Sequence, residues 1–297
     1  MFGIVGVIVG NVFIFVLLLG VAIAALEMLW YRLPKKEMNR GEKRIALITG
    51  ASSGLGREYA RLVDQKAKNI DEIWLVARRL DRLQETEEML SHSSRCIVAD
   101  LTKAEDLASI KERLSQQNIR IGILINCAGF GKIGDNNTIS ARDQADMISL
   151  NCTAAVELTD LCLPLMKKGD RIINVCSTAA FQPFQKLNIY AASKSFLLKY
   201  SRALRMELLP RRISVTAVCP YWIKDTEFIP VAKTKDKGIR HFLFASDVKT
   251  VGKVSFTGAG IGLPVATPGI VCTIHRFFSK LFPDTVLLYI WDGIRRI

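Results

Sequence analysis

Short apolar runs alternate along this chain with longer amphipathic segments, and this alternation limits the possible folds more than any other feature. Each run has the length of a strand and is apolar almost throughout, as required where helices cover both faces of a sheet. The apolar runs are residues 44–49, 73–77, 95–99, 121–126, 171–176 and 213–218. The intervening segments of helical length are residues 55–66, 81–91, 104–115, 141–167 and 189–208. We therefore predict an α/β fold with one doubly wound parallel sheet.

The N-terminus is an apolar segment of a different kind. Phe2–Leu26 contains no charged side chain and a single polar one, Asn11. A helix of this length spans the hydrocarbon core of a bilayer, which is about 30 Å thick. A cleaved secretory signal is the alternative, with "AIA" at 22–24 as its cleavage site. Such signals begin with basic residues, whereas residues 1–10 contain neither Lys nor Arg, so we predict a transmembrane helix.

Basic residues follow this apolar segment. Glu27 ends the apolar run, and six Lys or Arg residues lie between positions 32 and 44. The positive-inside rule places such a flank in the cytoplasm. We predict a single-pass membrane protein whose main domain faces the cytoplasm. The predicted division is an anchor at 1–31, a basic linker at 32–43, the sheet domain at 44–267 and an apolar helical extension at 268–297.

Composition excludes several classes of function. The net charge of +13 comes from Lys and Arg that are spread along the chain without an aromatic-interleaved patch, so we predict no nucleic-acid partner and some attraction to membrane lipid. The three histidines share no ligand spacing, so we predict no metal site. The seven cysteines are odd in number and form no C-x-x-C pair, which indicates free thiols in a reducing compartment.

A glycine cluster follows the first predicted strand. The stretch "TGASSGLG", residues 49–56, has Gly50, Gly54 and Gly56 at a strand-to-helix turn. Glycines there allow a tight turn and let a pyrophosphate approach the N-terminus of the helix. An ordinary turn is the alternative, but the strand before and the helix after are the context that a dinucleotide site requires.

A phenol and an amine share one face of a later helix. In "NIYAASKSFLLKY", residues 188–200, Tyr190 and Lys194 are separated by two alanines and a serine. Positions i and i+4 are neighbours on a helix surface, so the two side chains can point into the same space. An ordinary exposed lysine beside a half-buried tyrosine is the alternative, and this spacing alone does not exclude it.

These motifs together resemble the short-chain dehydrogenase/reductase family, over about residues 44–225. Its T-G-x-x-x-G-x-G pattern matches Thr49, Gly50, Gly54 and Gly56, and its other landmarks follow in order: Asp100 in "ADLT", "NCAG" at 126–129, Asn151, Ser177, Tyr190 and Lys194. The resemblance implies a Rossmann fold and the catalytic residues Ser177, Tyr190, Lys194 and Asn151. It also implies cofactor contacts from Thr49, Gly50, Ser52, Ser53, Gly54, Leu55, Gly56, Arg78, Asp100, Leu101, Asn126, Ala128, Gly129, Tyr190, Lys194, Pro220 and Thr226.

In such an enzyme Tyr190 would donate a proton to a carbonyl oxygen as the nicotinamide delivers hydride. Lowering the pKa of a tyrosine from about 10 to about 7 takes about 4 kcal/mol. A cation about 4 Å away supplies roughly that much at an effective dielectric of about 20, and Lys194 is expected to be that cation. Ser177 would hydrogen-bond the same oxygen. The family assigns Asn151 to a water that links Lys194 to solvent.

The end of the second predicted strand indicates the cofactor. An acid there would bind the ribose 2′-hydroxyl, whereas an arginine accommodates the 2′-phosphate. The sequence has Ala77, Arg78 and Arg79, so we predict NADP(H), with Arg78 on the phosphate and Arg79 turned toward solvent. Two solvated arginines at a loop are the alternative.

The chain departs from the family pattern at three positions. Cys127 replaces an asparagine that is common in the family. Tyr221 follows Pro220 where the family usually has glycine, and Thr226 stands one position later than in the family pattern.

The C-terminal region after Thr226 contains no family motif, so the sequence gives only indirect evidence about the substrate. We expect a loop from Thr226 through Arg240, and "GAGIG" at 258–262 should interrupt any long helix there. Apolar residues recur at helical spacing after Pro268 and again after Pro283. They predict two helices that pack on the sheet or in a homodimer interface, or that rest on a membrane at the substrate entrance.

The family resemblance indicates the class of substrate. Membrane-associated family members act on steroids, retinoids or fatty acyl chains, which implies a hydrophobic ketone or alcohol as substrate. A membrane-tethered NADP-binding scaffold or redox sensor without turnover is the alternative function.

Overall fold

The structure is a computed structural model that describes residues 2–32, 41–116, 118–233 and 244–296. A sheet of seven parallel strands forms its centre. The strands are β1 (Lys43–Thr49), β2 (Glu72–Ala77), β3 (Ser93–Val98), β4 (Ile119–Asn126), β5 (Arg171–Val175), β6 (Ser214–Val218) and β7 (Val265–Ala266). The first six follow the predicted runs to within two residues, which confirms the predicted fold class. β7 was not predicted, because two residues carry no periodicity.

The helices fill the predicted intervals with one exception. The α-helices of the described residues are α1 (Phe2–Arg32), α2 (Gly54–Lys66), α3 (Leu80–Glu87), α4 (Ala104–Ser115), α5 (Ala141–Ile148), α6 (Ala154–Cys162), α7 (Asn188–Leu208), α8 (Phe228–Ala232), α9 (Val248–Gly260), α10 (Ile270–Leu281) and α11 (Asp284–Ile294). The single helix predicted over 141–167 is broken, because a π-helical turn over Ser149–Thr153 separates α5 from α6. Such turns are frequent at functional sites.

The strand order is β3-β2-β1-β4-β5-β6-β7. The direction of winding therefore reverses between β1 and β4, and ligands of open α/β sheets bind at the carboxyl ends of the strands at such a point. The Thr49 hydroxyl joins the two strand ends, because it accepts hydrogen bonds from the amides of Cys127 and Ala128, both at 3.0 Å.

Two apolar layers cover the sheet. Alternate residues of each strand point to opposite faces, so Leu47 packs with α4, α6 and the end of α7, whereas Ile48 packs with α2, α3 and α9. Both residues are fully buried. This two-sided burial is the reason that the central strands are mostly apolar.

The N-terminal helix has the character of a membrane span, and its last turn contacts the sheet domain. The window Ile14–Tyr31 has a mean hydropathy of 2.2, and among its described residues only Tyr31, at its end, is buried against the sheet domain. Glu27 forms an ion pair with Arg205 of α7 at 2.9 Å. A second apolar window, Ala141–Leu165, is 39% buried and belongs to the α5–α6 region of the sheet domain. Residues 33–40 of the predicted basic linker lie outside the described residues.

The region after β6 differs in part from the sequence prediction. The segment expected to be a loop contains α8, and its residues 234–243 lie outside the described part of the chain. The interruption expected at 258–262 is confirmed, because α9 ends at Gly260, although the helix still includes Gly258. Gly258 is accommodated because Leu263 packs against it, where a Cβ would lie 3.1 Å from Leu263 Cδ1. The two predicted C-terminal helices are present as α10 and α11.

Candidate active site

Glycines at the turn between β1 and α2 leave its backbone uncovered by side chains. Gly50 and Gly54 have φ angles of +67° and +50°, which favour glycine. A Cβ on Gly56 would lie 2.1 Å from the Gly50 carbonyl oxygen, so no larger residue fits. Ser53 precedes α2 without making a side-chain capping hydrogen bond, which leaves the first amides of the helix available. These features fit the pyrophosphate of a dinucleotide, and Ser52 and Leu55 complete the turn.

The ends of β3 and β4 bring the next predicted cofactor residues to the same edge of the sheet. Asn126 donates to Asn174 Oδ1 at 2.9 Å, while its own buried Oδ1 has no partner among the described residues. Asp100 accepts from the Thr102 hydroxyl at 2.8 Å. Burial acts to raise the pKa of Asp100, but the hydrogen bonds from Thr102 and the charge of Arg78 bring that pKa below its ordinary value. Leu101 is buried beside it.

The two arginines after β2 take different positions. Arg78 lies close enough to Asp100 to act on its carboxylate. Arg79 does not simply turn to solvent as expected, because its Nη2 lies 2.7 Å from Glu227 and 3.5 Å from Ser52 Oγ of the phosphate turn. The sequence analysis did not predict a role for Glu227. The sequence marks this residue only as an acid that follows Thr226 in a basic segment.

Helix α7 places the phenol and the amine on its buried side. Tyr190 and Lys194 are 7% and 4% exposed, so the surface-helix alternative does not hold. Lys194 Nζ lies 5.8 Å from the centre of the Tyr190 ring and donates to the Val175 carbonyl at 2.9 Å. Ser177, two residues after β5, lies close enough to the Tyr190 hydroxyl to act on its pKa. The structure therefore brings together the three residues predicted to act on a carbonyl.

The pKa of Tyr190 differs from the sequence expectation. Burial raises this pKa, and the hydrogen bond from Ser177 only partly opposes the rise. The Phe228 ring, centred 5.4 Å from the tyrosine ring, helps to exclude water. Burial also lowers the pKa of Lys194. The expected lowering of the tyrosine pKa is therefore absent in this geometry, because desolvation dominates and only the hydrogen bond from Ser177 acts against it.

The π-helical turn presents Asn151 to the same site. Its side chain accepts from the Phe130 amide at 3.1 Å and donates to the Ser193 hydroxyl at 3.0 Å. A Cβ on Gly129 would lie 2.8 Å from Asn151 Oδ1 and 3.2 Å from Lys194 Nζ. Gly129 is thus the point where the asparagine and the lysine converge, with Ala128 just before it.

Aromatic side chains line the other side of Tyr190, and the sequence did not reveal them. The cluster includes Phe130, Phe184, Trp222, Phe228 and Trp291. These residues come from five separate segments, so no local pattern marks them. An apolar wall beside a proton donor suits an apolar substrate.

Pro220 and Thr226, the last two predicted cofactor residues in the sequence, lie at different parts of the site. The Pro220 carbonyl accepts from the Thr178 amide at 2.9 Å, which holds the loop after β6 next to Ser177. Thr226 lies against the phosphate turn, since a Cβ on Gly54 would be 3.2 Å from its methyl group. Thr226 therefore reaches the turn despite standing one place later than the family pattern.

Together, the open phosphate turn at the switch point and the Ser177, Tyr190 and Lys194 cluster define an oxidoreductase of the Rossmann type that uses a nicotinamide dinucleotide. A family model described as short chain dehydrogenase matches residues 44–237. The chain belongs to this family, as the sequence motifs predicted.

Individual relatives agree with this assignment. Human 17-beta-hydroxysteroid dehydrogenase type 3 is 30% identical over 227 residues, which cover 72% of this chain and 71% of that protein. The very-long-chain 3-oxoacyl-CoA reductase of Anas platyrhynchos is 30% identical over 245 residues, which cover 80% and 74%. A solved short-chain dehydrogenase from Sphingobium yanoikuyae in complex with NADPH has a TM-score of 0.66 at 28% identity, covering 81% of this chain and 97% of its own.

Proposed function

We propose that this protein is an NADP(H)-dependent oxidoreductase that interconverts a ketone and a secondary alcohol on a hydrophobic substrate. The observation that carries the proposal is the buried cluster of Ser177, Tyr190 and Lys194 beside an aromatic wall. Relatives named for steroid and 3-oxoacyl-CoA chemistry support a steroid-like, retinoid-like or fatty-acyl-like substrate.

Each residue of the cluster has a distinct task. When bound, the cofactor supplies or accepts the hydride. Tyr190 holds the proton that goes to the carbonyl oxygen, and its raised pKa keeps this proton in place at neutral pH. Ser177 orients the same oxygen and stabilises its developing charge. Lys194 and Asn151 hold the backbone around the site through Val175 and Phe130. The water that would link Lys194 to solvent through Asn151 stays a prediction from the family resemblance.

NADP(H) is the proposed form of the cofactor because the chain has two arginines and no acid directly after β2. An acid there would repel the 2′-phosphate, whereas guanidinium groups bind it. The solved relative in complex with NADPH supports the same choice.

A panel of hydrophobic ketones tests the reaction directly. We expect purified protein to oxidise NADPH in the presence of steroid-like or acyl-chain ketones, measured by the loss of nicotinamide absorbance and by mass spectrometry of the alcohol product. A lipid extract screened in the same way would identify the natural substrate. Tight NADPH binding without turnover across the panel and the extract would instead support a tethered scaffold or redox sensor.

The N-terminal helix is proposed as a single-pass anchor, with the domain from 44 to 267 in the cytoplasm and the helical extension from 268 to 297 attached to it. We expect the full chain to sediment with membranes and to resist high salt and alkaline carbonate. Release by salt alone would contradict the anchor.

A matched pair of truncations tests how the anchor joins the domain. Removal of residues 1–26 keeps the Glu27–Arg205 ion pair and should give a protein that still binds NADPH. Removal of residues 1–31 leaves Arg205, whose side chain is 2% exposed, without this partner. Breaking a buried pair costs about 3–5 kcal/mol, so the shorter protein should melt at a clearly lower temperature. Equal melting temperatures would contradict a structural role for the last turn of α1.

A further inference from the structure

Helices α10 and α11 are fixed to the domain by their inner faces. His275 Nε2 lies 2.8 Å from Gln182 Oε1, and burial lowers the pKa of this histidine to about 4, so it stays neutral. Trp291 Nε1 donates to the Gln185 carbonyl at 3.1 Å, and its ring packs edge-on against Phe184 at 4.8 Å. The helix pair therefore covers the loop after Ser177 and forms part of the aromatic wall beside Tyr190.

The outer faces of the same two helices are apolar and exposed. Ile270, Phe277 and Tyr289 are 76%, 60% and 77% exposed. We call this surface the outer apolar face, and it is formed by Ile270, Ile274, Phe277, Phe278, Tyr289 and Ile290. On α10 these residues recur at helical spacing, and the Phe278 ring contacts those of Phe277 and Phe282. An exposed apolar face of this kind on a well-packed domain marks an interaction site.

Basic side chains border the outer apolar face. Burial lowers the pKa of Lys280, and the positive charges of Arg276, Arg202 and Lys199 lower it further. Four cations from α10 and α7 are thus close enough to repel one another. A helix with an apolar face and a basic border is typical of elements that lie in the interface of an anionic membrane.

The membrane helix meets the same part of α7. Arg205 lies one turn after Arg202, and it binds Glu27 near the end of the apolar window of α1. The Arg205 guanidinium also stacks over the Tyr31 ring, 4.7 Å from its centre. The C-terminal half of α7 therefore joins the basic border of α10 to the point where the anchor ends.

We propose that the outer apolar face of α10 and α11 rests on the anionic lipid surface that α1 enters. This second contact holds the domain in one orientation and places the aromatic wall of the site next to the apolar phase. The proposal rests on the proposed anchor but goes beyond the proposed activity, since it concerns membrane contact and holds whether or not the protein turns over a substrate.

Site-specific labelling of the full chain tests this contact. The protein would be reconstituted in vesicles of phosphatidylcholine and phosphatidylglycerol, with an environment-sensitive fluorophore attached to Phe277→Cys. Met89→Cys, 53% exposed after α3, is the matched control site. The labelled unsubstituted protein corrects for the half-buried thiols Cys96 and Cys127. Tyr289→Cys, on α11, repeats the measurement in case one variant fails to fold.

The expected result is that nitroxide-labelled lipids remove most of the fluorescence at positions 277 and 289 and little at 89. If labels at 277 and 289 respond to the nitroxide as weakly as the label at 89, while the chain still resists carbonate extraction, the proposal is wrong. Energy transfer between labels at 277 on different copies, without quenching by lipid, would also overturn it, because a second copy would then cover the face.

Discussion

Tyr190→Phe is expected to lower the rate of ketone reduction by about 10²–10⁴-fold, the usual contribution of a positioned general acid. The substitution removes only the hydroxyl that Ser177 binds and keeps the ring that packs on Phe228. NADPH binding should therefore persist. Steady-state NADPH oxidation with the most active ketone of the panel, and fluorescence titration of the cofactor, measure the two effects separately.

Tyr200→Phe is the matched control for this experiment. Tyr200 lies on α7 as well, ten residues from Tyr190, where its ring stacks on Phe196 with ring centres 6.2 Å apart and is half-buried against the core. Its loss should leave the rate of reduction unchanged. Turnover by Tyr190→Phe at the rate of the unsubstituted protein would show that another group donates the proton.

Arg78→Ala is expected to weaken NADPH binding by roughly ten- to a hundredfold and to leave NADH binding nearly unchanged. A charge-assisted hydrogen bond to the 2′-phosphate contributes about 1.5–3 kcal/mol, and about 1.4 kcal/mol corresponds to a factor of ten. Adding Ala77→Asp should shift preference toward NADH, because the carboxylate repels the phosphate and accepts the free 2′-hydroxyl. Fluorescence titration of both cofactors at fixed ionic strength measures these changes.

Arg79→Ala is the informative comparison for Arg78→Ala. Arg79 already pairs with Glu227, and the two side chains are 44% and 48% exposed. An exposed ion pair of this kind contributes only about 0–1 kcal/mol. Because Glu227 already engages the Arg79 guanidinium, Arg79→Ala should lower NADPH affinity less than Arg78→Ala does. Equal losses of NADPH and NADH affinity in Arg78→Ala would mean that this residue supports the loop instead of binding the phosphate.

Local sequence patterns were sufficient for the sheet and for the phosphate turn. A strand buried on both faces is mostly apolar, so the six longer strands were visible as mostly apolar runs. The turn at Gly50, Gly54 and Gly56 must avoid side chains for steric reasons, and this requirement leaves glycines at fixed spacing. Helical geometry puts Tyr190 and Lys194 on one face of α7, but the family resemblance was needed to distinguish this pair from an ordinary exposed lysine beside a tyrosine.

The sequence by itself thus determined the parallel sheet and the position of the glycine turn, and through the family resemblance it predicted the cluster of Ser177, Tyr190 and Lys194. Only the tertiary structure decided that Tyr190 is desolvated by Phe228, that Arg79 pairs with Glu227, and that Glu27 binds Arg205. The physical reason is that periodicity and turn chemistry act over a few neighbouring residues, whereas burial, pKa shifts and ion pairs depend on side chains brought together from distant segments.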